Sequence, residues 1–393
     1  MIRRFLLALV SASLLAGCST ARHAVPQTAM LFDDAPFALH RVQADPAAVF
    51  ALTPAMREYL TTTIHPAVRA KGREGLIDAL YSSQHLRLSY DGGMTRNASE
   101  AFEARSGNCL SLVIMTSAFA RALGMDVRYQ RLRAEDVWVR DGSDLVQLVG
   151  HVNLSLAESS HPAMRARSPT SGWLTIDFLP LDEAQRERVR PIEERRVIAM
   201  YFNNRAAEAL SAGRAQEAYW WARASVEHDE TYPSAYITLA VAFYRHGNTH
   251  RAESVLNAAL QLEPDNPQAL HNLSEVLRAM GRIDEAAVAE RRLNTVQPHN
   301  PIKSYKSGLI AYQRGDYVAA RDAFSSALAR APDDHEFHFM LGMTYLRLGQ
   351  RTQSLEHLDR ARELARTTTR ANAYSAKFKF AADALSQLQG PPR

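Results

Sequence analysis

Three side chains of this 393-residue sequence have the types and order that thiol chemistry needs: Cys109, His151 and Asp177. Cys109 follows Arg105-Ser106-Gly107-Asn108 and opens an apolar run, Leu110 to Leu123, that reads as a helix buried on every face. In a first helical turn, unpaired amides and the positive dipole end favour a thiolate. His151 lies in a segment that alternates as a strand, with Val152, Leu154 and Leu156 on one face and His151, Asn153 and Ser155 on the other. Asp177 sits in a further strand candidate, Trp173 to Phe178, pointing away from Leu174, Ile176 and Phe178. In such a constellation the imidazole takes the thiol proton and returns it to a leaving amine, while the carboxylate fixes the ring's tautomer and orientation. Each residue also has a plainer role, as a small core residue, a structural histidine or a local cap.

The elements that must position these residues are readable from period and punctuation. Residues 36 to 90 read as helical packing elements, with Thr53-Pro54 as a cap and first-turn pair. Asn97 to Ala104 reads as a short helix ending at the Ser106-Gly107 turn. After Gly124 the pattern changes to strands, Asp126 to Leu132, Leu145 to Leu156 and Trp173 to Phe178. The expected domain, residues 36–190, is α+β, a central helix packed on an antiparallel sheet. An oxyanion site would use the Cys109 amide and one more donor, with Asn108 and Asn97 nearest in sequence.

Glu100-Ala101-Phe102, Gly107-Asn108-Cys109 and Ala118 to Gly124 make this domain resemble the transglutaminase-like superfamily of papain-like cysteine enzymes, over roughly residues 75 to 182. The resemblance implies Cys109, His151 in Gly150-His151-Val152, and Asp177 in Gly172 to Asp177 as the catalytic order. The chain departs from the family at Asn153, where many members carry tryptophan, and in the polar loop from Ala157 to Ser171.

Arg3 and Arg4, the apolar run Phe5 to Leu15 and the small pair Ala16-Gly17 read as a signal peptide, residues 1–17. The run falls short of the roughly 20 apolar residues of a spanning helix. Leu15-Ala16-Gly17-Cys18 resembles a bacterial lipobox, which implies lipidation of Cys18. Ser19 in the next position implies the outer membrane, facing the periplasm. Of two cysteines, that leaves Cys109 as a lone thiol without an intramolecular disulfide partner. Residues 18–35, poor in large apolar side chains, read as a lipidated tether. Forty-six Lys and Arg against 42 Asp and Glu, mixed along the chain, give no basic stripe for a nucleic acid. No metal-ligand spacing or phosphate loop is present in the sequence, so no cofactor is expected.

The second half carries a period. Gly213, Gly247, Gly281, Gly315 and Gly349 recur every 34 residues, each followed five residues later by Ala218, Ala252, Ala286, Ala320 or Ser354. Pro264, Pro298 and Pro332 keep the same spacing, whereas the first unit has Glu230 there. Glycine tightens a turn between helices, a small residue lets them approach, and proline ends the second helix. This pattern resembles the tetratricopeptide repeat. It implies an all-α solenoid of five repeats over 197–365, then a C-terminal capping helix and tail, 366–393. The resemblance implies a protein or peptide partner on the inner surface, where the first helices contribute Tyr236, Asn272, Lys303, Lys306 and His338. Together these readings describe a lipid-anchored cysteine hydrolase or acyl transferase acting on amide bonds, with the repeats docking substrate or partner. The alternative is a non-catalytic envelope lipoprotein that serves as a binding scaffold or assembly factor.

Overall fold

The computed structural model describes residues 26, 28–82, 86–91, 94–132, 137–140, 146–149, 152–157, 172–178, 189–297 and 301–364; for residues 40, 132, 137–140 and 146–149 it describes the backbone alone. The signal segment, Cys18, His151 and the expected capping helix lie outside the described residues.

The N-terminal region begins with two 3-10 turns, Thr28–Leu31 and Ala35–His40. Four helices follow, α1 (Pro46–Val49), α2 (Pro54–Tyr59), α3 (His65–Lys71) and α4 (Arg73–Tyr81). Thr53 caps α2 by accepting the Met56 amide. Helix α5 (Ala98–Ala104) starts at a capping box, in which the Asn97 side chain accepts the Glu100 amide and the Glu100 carboxylate accepts the Asn97 amide. Two short strands, β1 (Ser89–Tyr90) and β2 (Ser106–Gly107), pair in parallel just before α6 (Cys109–Ala122).

Helix α6 is buried from Cys109 to Ala120 because its apolar residues leave no polar face to turn to water. It packs on a four-stranded antiparallel sheet of order β7-β6-β3-β8, formed by β3 (Asp126–Leu132), β6 (Val152–Ala157), β7 (Leu174–Ile176) and β8 (Val189–Ile192). The segment read as one strand, Leu145 to Leu156, is instead two. Its first part, β5 (Val146–Val149), pairs with β4 (Val137–Arg140) in a separate hairpin. Alternation continues through the break and carries no sign of the change of partner.

Among the described residues, ten helices in five antiparallel pairs follow: α7 (Glu194–Ser211) with α8 (Ala215–His228), α9 (Pro233–Arg245) with α10 (Thr249–Leu262), α11 (Pro267–Ala279) with α12 (Ile283–Val296), α13 (Pro301–Gln313) with α14 (Tyr317–Leu328), and α15 (His335–Arg347) with α16 (Arg351–Leu364). The periodic glycines close each first helix with φ between +72° and +87°, a region that other residues enter at a penalty. The small residues five positions on are fully buried where the paired helices meet.

One continuous core runs from Phe37 through α6 and the sheet into the first three pairs, and a second, around Tyr305, Phe324 and Phe337, holds the last two. In that second core a Cβ at Gly308 would stand 2.5 Å from the Phe324 ring. Gly308→Ala is therefore expected to destabilise the last two pairs by about 1–3 kcal/mol through overpacking, more than the ~1 kcal/mol that alanine gains in an open helix. Thermal unfolding followed by circular dichroism would show an earlier helical transition; an unchanged or raised midpoint would remove this packing account.

The tether reading is corrected in its second half. Residues 28–35 dock on the second helices: the Asp33 amide donates to Tyr219 Oη at 3.0 Å, Tyr219 Oη donates to Asp34 at 2.6 Å, and Arg251 donates to the Met30 carbonyl at 2.9 Å. Few large side chains are needed there because polar groups of α8 and α10 supply the contacts.

Candidate functional site

Cys109 occupies the first position of α6 and is 7% exposed. Gly107, two residues before it, packs so closely that a Cβ there would meet Ser111 Cβ at 2.5 Å. Asn108 caps the helix: its Oδ1 accepts the Ser111 amide at 2.9 Å and the Ser111 hydroxyl at 2.9 Å. Its Nδ2 donates to Thr95 Oγ1 at 2.7 Å. One N–H of the Asn108 amide is thus spent on Thr95, and Asn97 Oδ1 is taken by its own cap.

Thr95 couples this helix start to the repeats. Its amide donates to Glu208 of α7 at 2.6 Å, and its hydroxyl oxygen accepts from Asn204 of α7 at 3.2 Å. Burial raises the Glu208 carboxyl, against the opposing pull of the hydrogen bonds from Thr95 and the charges of Arg205 and Arg96. Sequence reasoning missed this junction because its partners lie more than a hundred residues apart.

Chain direction decides which end of the sheet Cys109 faces. The short turn at Gly124 sends β3 back along α6, so the end of β3 lies toward the helix start. Arg131 near that end pairs with Val152, the first residue of β6. Just past the end of β7, Asp177 accepts a hydrogen bond from Asn153 Nδ2 at 3.3 Å. The structure thus gathers Cys109, Val152 and Asp177 at one end of the helix-on-sheet layer, with Asp177 exposed and engaged by Asn153. His151 is not among the described residues.

The polar side chains of β6 are buried along with its apolar ones. Asn153 and Ser155 are as inaccessible as Val152, Leu154 and Leu156. Ser155 shares a 2.8 Å hydrogen bond with Thr175, and on the same sheet face the Arg128 guanidinium covers the Trp173 ring at 3.7 Å. Among the described residues, no cluster of three or more His, Cys, Asp or Glu suits a metal, and no helix is long and apolar enough to cross a membrane.

On the repeats, the residues expected on the inner surface divide. Tyr236 and Asn272 are fully buried, and Tyr236 Oη donates to the Glu230 carbonyl at 2.8 Å. His338 Nδ1 meets His357 Nδ1 of α16 at 2.9 Å, and its Nε2 meets the carbonyl of Pro332, in the turn before α15, at 2.8 Å. Burial lowers the pKa of both imidazoles. Lys303 is exposed, and Lys306 pairs with Glu275 of α11 at 2.6 Å. Beside them Leu309, Tyr312, Met340 and Met343 remain partly open on α13 and α15.

Family models described as tetratricopeptide repeat match residues 243–301 and 305–367. The C-terminal part of this chain is a tetratricopeptide-repeat solenoid. Cellulose synthase operon protein C of Pseudomonas fluorescens (strain SBW25) is 29% identical over 163 residues, which cover 38% of this chain and 12% of that protein. This chain therefore spans about an eighth of that relative. Among solved structures, TTC0263, a thermophilic TPR protein in Thermus thermophilus, is 18% identical over 47% of this chain and 98% of its own, with a TM-score of 0.36. MamA from Desulfovibrio magneticus RS-1 is 20% identical over 45% of this chain and 98% of its own, with a TM-score of 0.26.

Proposed function

We propose that this chain is a protein-binding scaffold of the bacterial envelope, held by a lipid on Cys18 at the outer membrane and facing the periplasm, with the solenoid docking a partner protein or peptide. The observation that carries this reading is the partly open apolar row of Leu309, Tyr312, Met340 and Met343 on neighbouring first helices, flanked by Lys303. Such a row fits an extended peptide or an amphipathic helix. The decisive experiment compares partner capture from the native envelope by the full chain and by Leu309→Glu/Met343→Glu. Loss in the double variant is expected; capture at the same level would reject the docking surface.

The second reading keeps the transglutaminase-like fold for the N-terminal domain and a thiol hydrolase or acyl transferase at Cys109, His151 and Asp177. What favours it is the gathering of Cys109, the start of β6 and Asp177 at one end of the sheet. Against it stand the near-complete burial of the thiol and the engagement of Asn108 and Asp177 by neighbouring amide and hydroxyl groups. Alkylation separates the two readings. A scaffold predicts that native Cys109 reacts with iodoacetamide at least about 100-fold more slowly than in urea, since an inaccessible thiol reacts only on opening. It also predicts unchanged partner capture by Cys109→Ala. Rapid native alkylation that is slowed by His151→Ala would replace the scaffold reading with the catalytic one.

A further inference from the structure

We propose that the inner surface of the second and third repeats is a strand-binding surface, which this chain fills with its own β5. The proposal rests on the scaffold reading above and names a second surface within it. Strand β5 belongs to the N-terminal region, yet its backbone lies against the first helices α9 and α11. Its ladder to β4 engages one edge of the strand, and no third strand joins that hairpin among the described residues. An extended segment with an unpaired edge presents amides and carbonyls in alternation and is a template for further pairing.

The helices beneath it differ from their successors in the sense that such an occupant requires. At the repeat position held by Thr238, Asn272, Lys306 and Met340, the first two are 2% and 0% exposed, whereas Lys306 and Met340 are partly open. The position held by Val241, Glu275, Leu309 and Met343 follows the same order, buried in α9 and α11 and partly open in α13 and α15. This face is thus most buried on the two first helices that β5 reaches. Helix α11 also buries Gln268, His271 and Asn272, side chains that carry both donor and acceptor atoms. Polar groups of that kind are retained in a buried face when an adjacent backbone or side chain satisfies them. The surface thus fits an extended segment whose backbone is read by amide and imidazole groups, with Val146-Gln147-Leu148-Val149 as the resident example. A partner segment of the same kind competes with β5, so its apparent affinity is lowered by the fraction of molecules in which the hairpin stays docked.

The test uses the full chain and a fluorescein-labelled peptide of residues 143–150, with fluorescence polarisation as the readout. In one variant, residues 137–149 are replaced by a glycine-serine segment of the same length. In a second, Leu148→Pro places a proline, which lacks an N–H and has a fixed φ, in the strand opposite Trp138, and leaves every helix untouched. The peptide is expected to bind the replaced chain at least about tenfold more tightly than the intact chain, with Leu148→Pro between them. Equal binding to all three overturns the proposal. So does an absence of binding to whichever variant retains the intact chain's helix content and melting midpoint. Either result leaves partner capture on α13 and α15 unaffected, so the strand site and the scaffold reading fail separately.

Discussion

Replacing Phe37 by alanine is expected to destabilise the folded chain by about 3–5 kcal/mol, the range for removing a fully buried phenylalanine. The size of the effect follows from the position of the ring. It sits in the second 3-10 turn, has no exposed surface, and stacks on Tyr219 at 4.0 Å between centroids with an interplanar angle of 7°. Its edge meets Phe243 at 5.6 Å, and Trp220 Nε1 donates to the Phe37 carbonyl at 2.8 Å. One side chain thereby fastens the N-terminal segment to both α8 and α9. Leu39, two residues on, is 90% exposed and supplies the control, since Leu39→Ala should change stability by no more than about 0.5 kcal/mol. Urea unfolding of the two variants decides it; a loss below about 1 kcal/mol for Phe37→Ala would mean that the segment contributes little to the core. The contact also bears on the proposed anchor. From Cys18 to Thr28 the chain can reach at most about 36 Å, so a lipid on Cys18 would hold the second helices of the first repeats near the membrane.

How much of this was legible in the sequence depends on whether the cause was local. The turn glycines and the small residues after them stand out because a left-handed backbone and a close helix approach recur every 34 residues. Helix α6 is visible because it is apolar on every face, and β3 occupies Asp126–Leu132 as its alternation suggests. The split of β5 from β6 is not visible, because a change of pairing partner leaves no mark on alternation. Nor is the docking of residues 28–35, whose partners Tyr219 and Arg251 lie some two hundred positions away. At the candidate site, the helix-start position of Cys109 and the adjacency of Asp177 to β6 follow from local pattern and register. The commitment of Asn108 to Thr95, and of Thr95 to Glu208, is tertiary and could not be read from spacing. Tyr236 and Asn272 illustrate the same limit. Their repeat positions are readable, but their complete burial depends on tertiary packing that spacing does not show.

Arg196→Ala is expected to cost about 3–5 kcal/mol because it leaves a buried carboxylate without its counter-ion. Asp229, at the end of α8, has a side chain that is 1% exposed, and Arg196 Nε donates to it at 2.5 Å. The same guanidinium donates to the Thr231 carbonyl and hydroxyl oxygen and lies over the Tyr232 ring, so the start of α7 is clamped to the entry of α9. Burial by itself raises the Asp229 carboxyl; hydrogen bonds from Arg196 and Thr231, with the charge of Arg196, outweigh it and hold the group below the usual carboxylate range. A depressed folded pKa contributes stability that is fully present above the unfolded value near 3.8 and is lost as pH falls through the folded value. In Arg196→Ala the dominant remaining influence is burial, which favours the protonated acid. The stability gap between wild type and variant should therefore be widest near neutrality and narrow as pH falls through the carboxylate range. Arg196→Met/Asp229→Leu removes both charges and should cost less than Arg196→Ala alone, a coupling that an independent pair would not show. Urea titrations of the three proteins at pH 7 and near pH 4 decide it: a pH-independent gap, or a double variant worse than the single, would show that the clamp acts through packing and not through the ion pair.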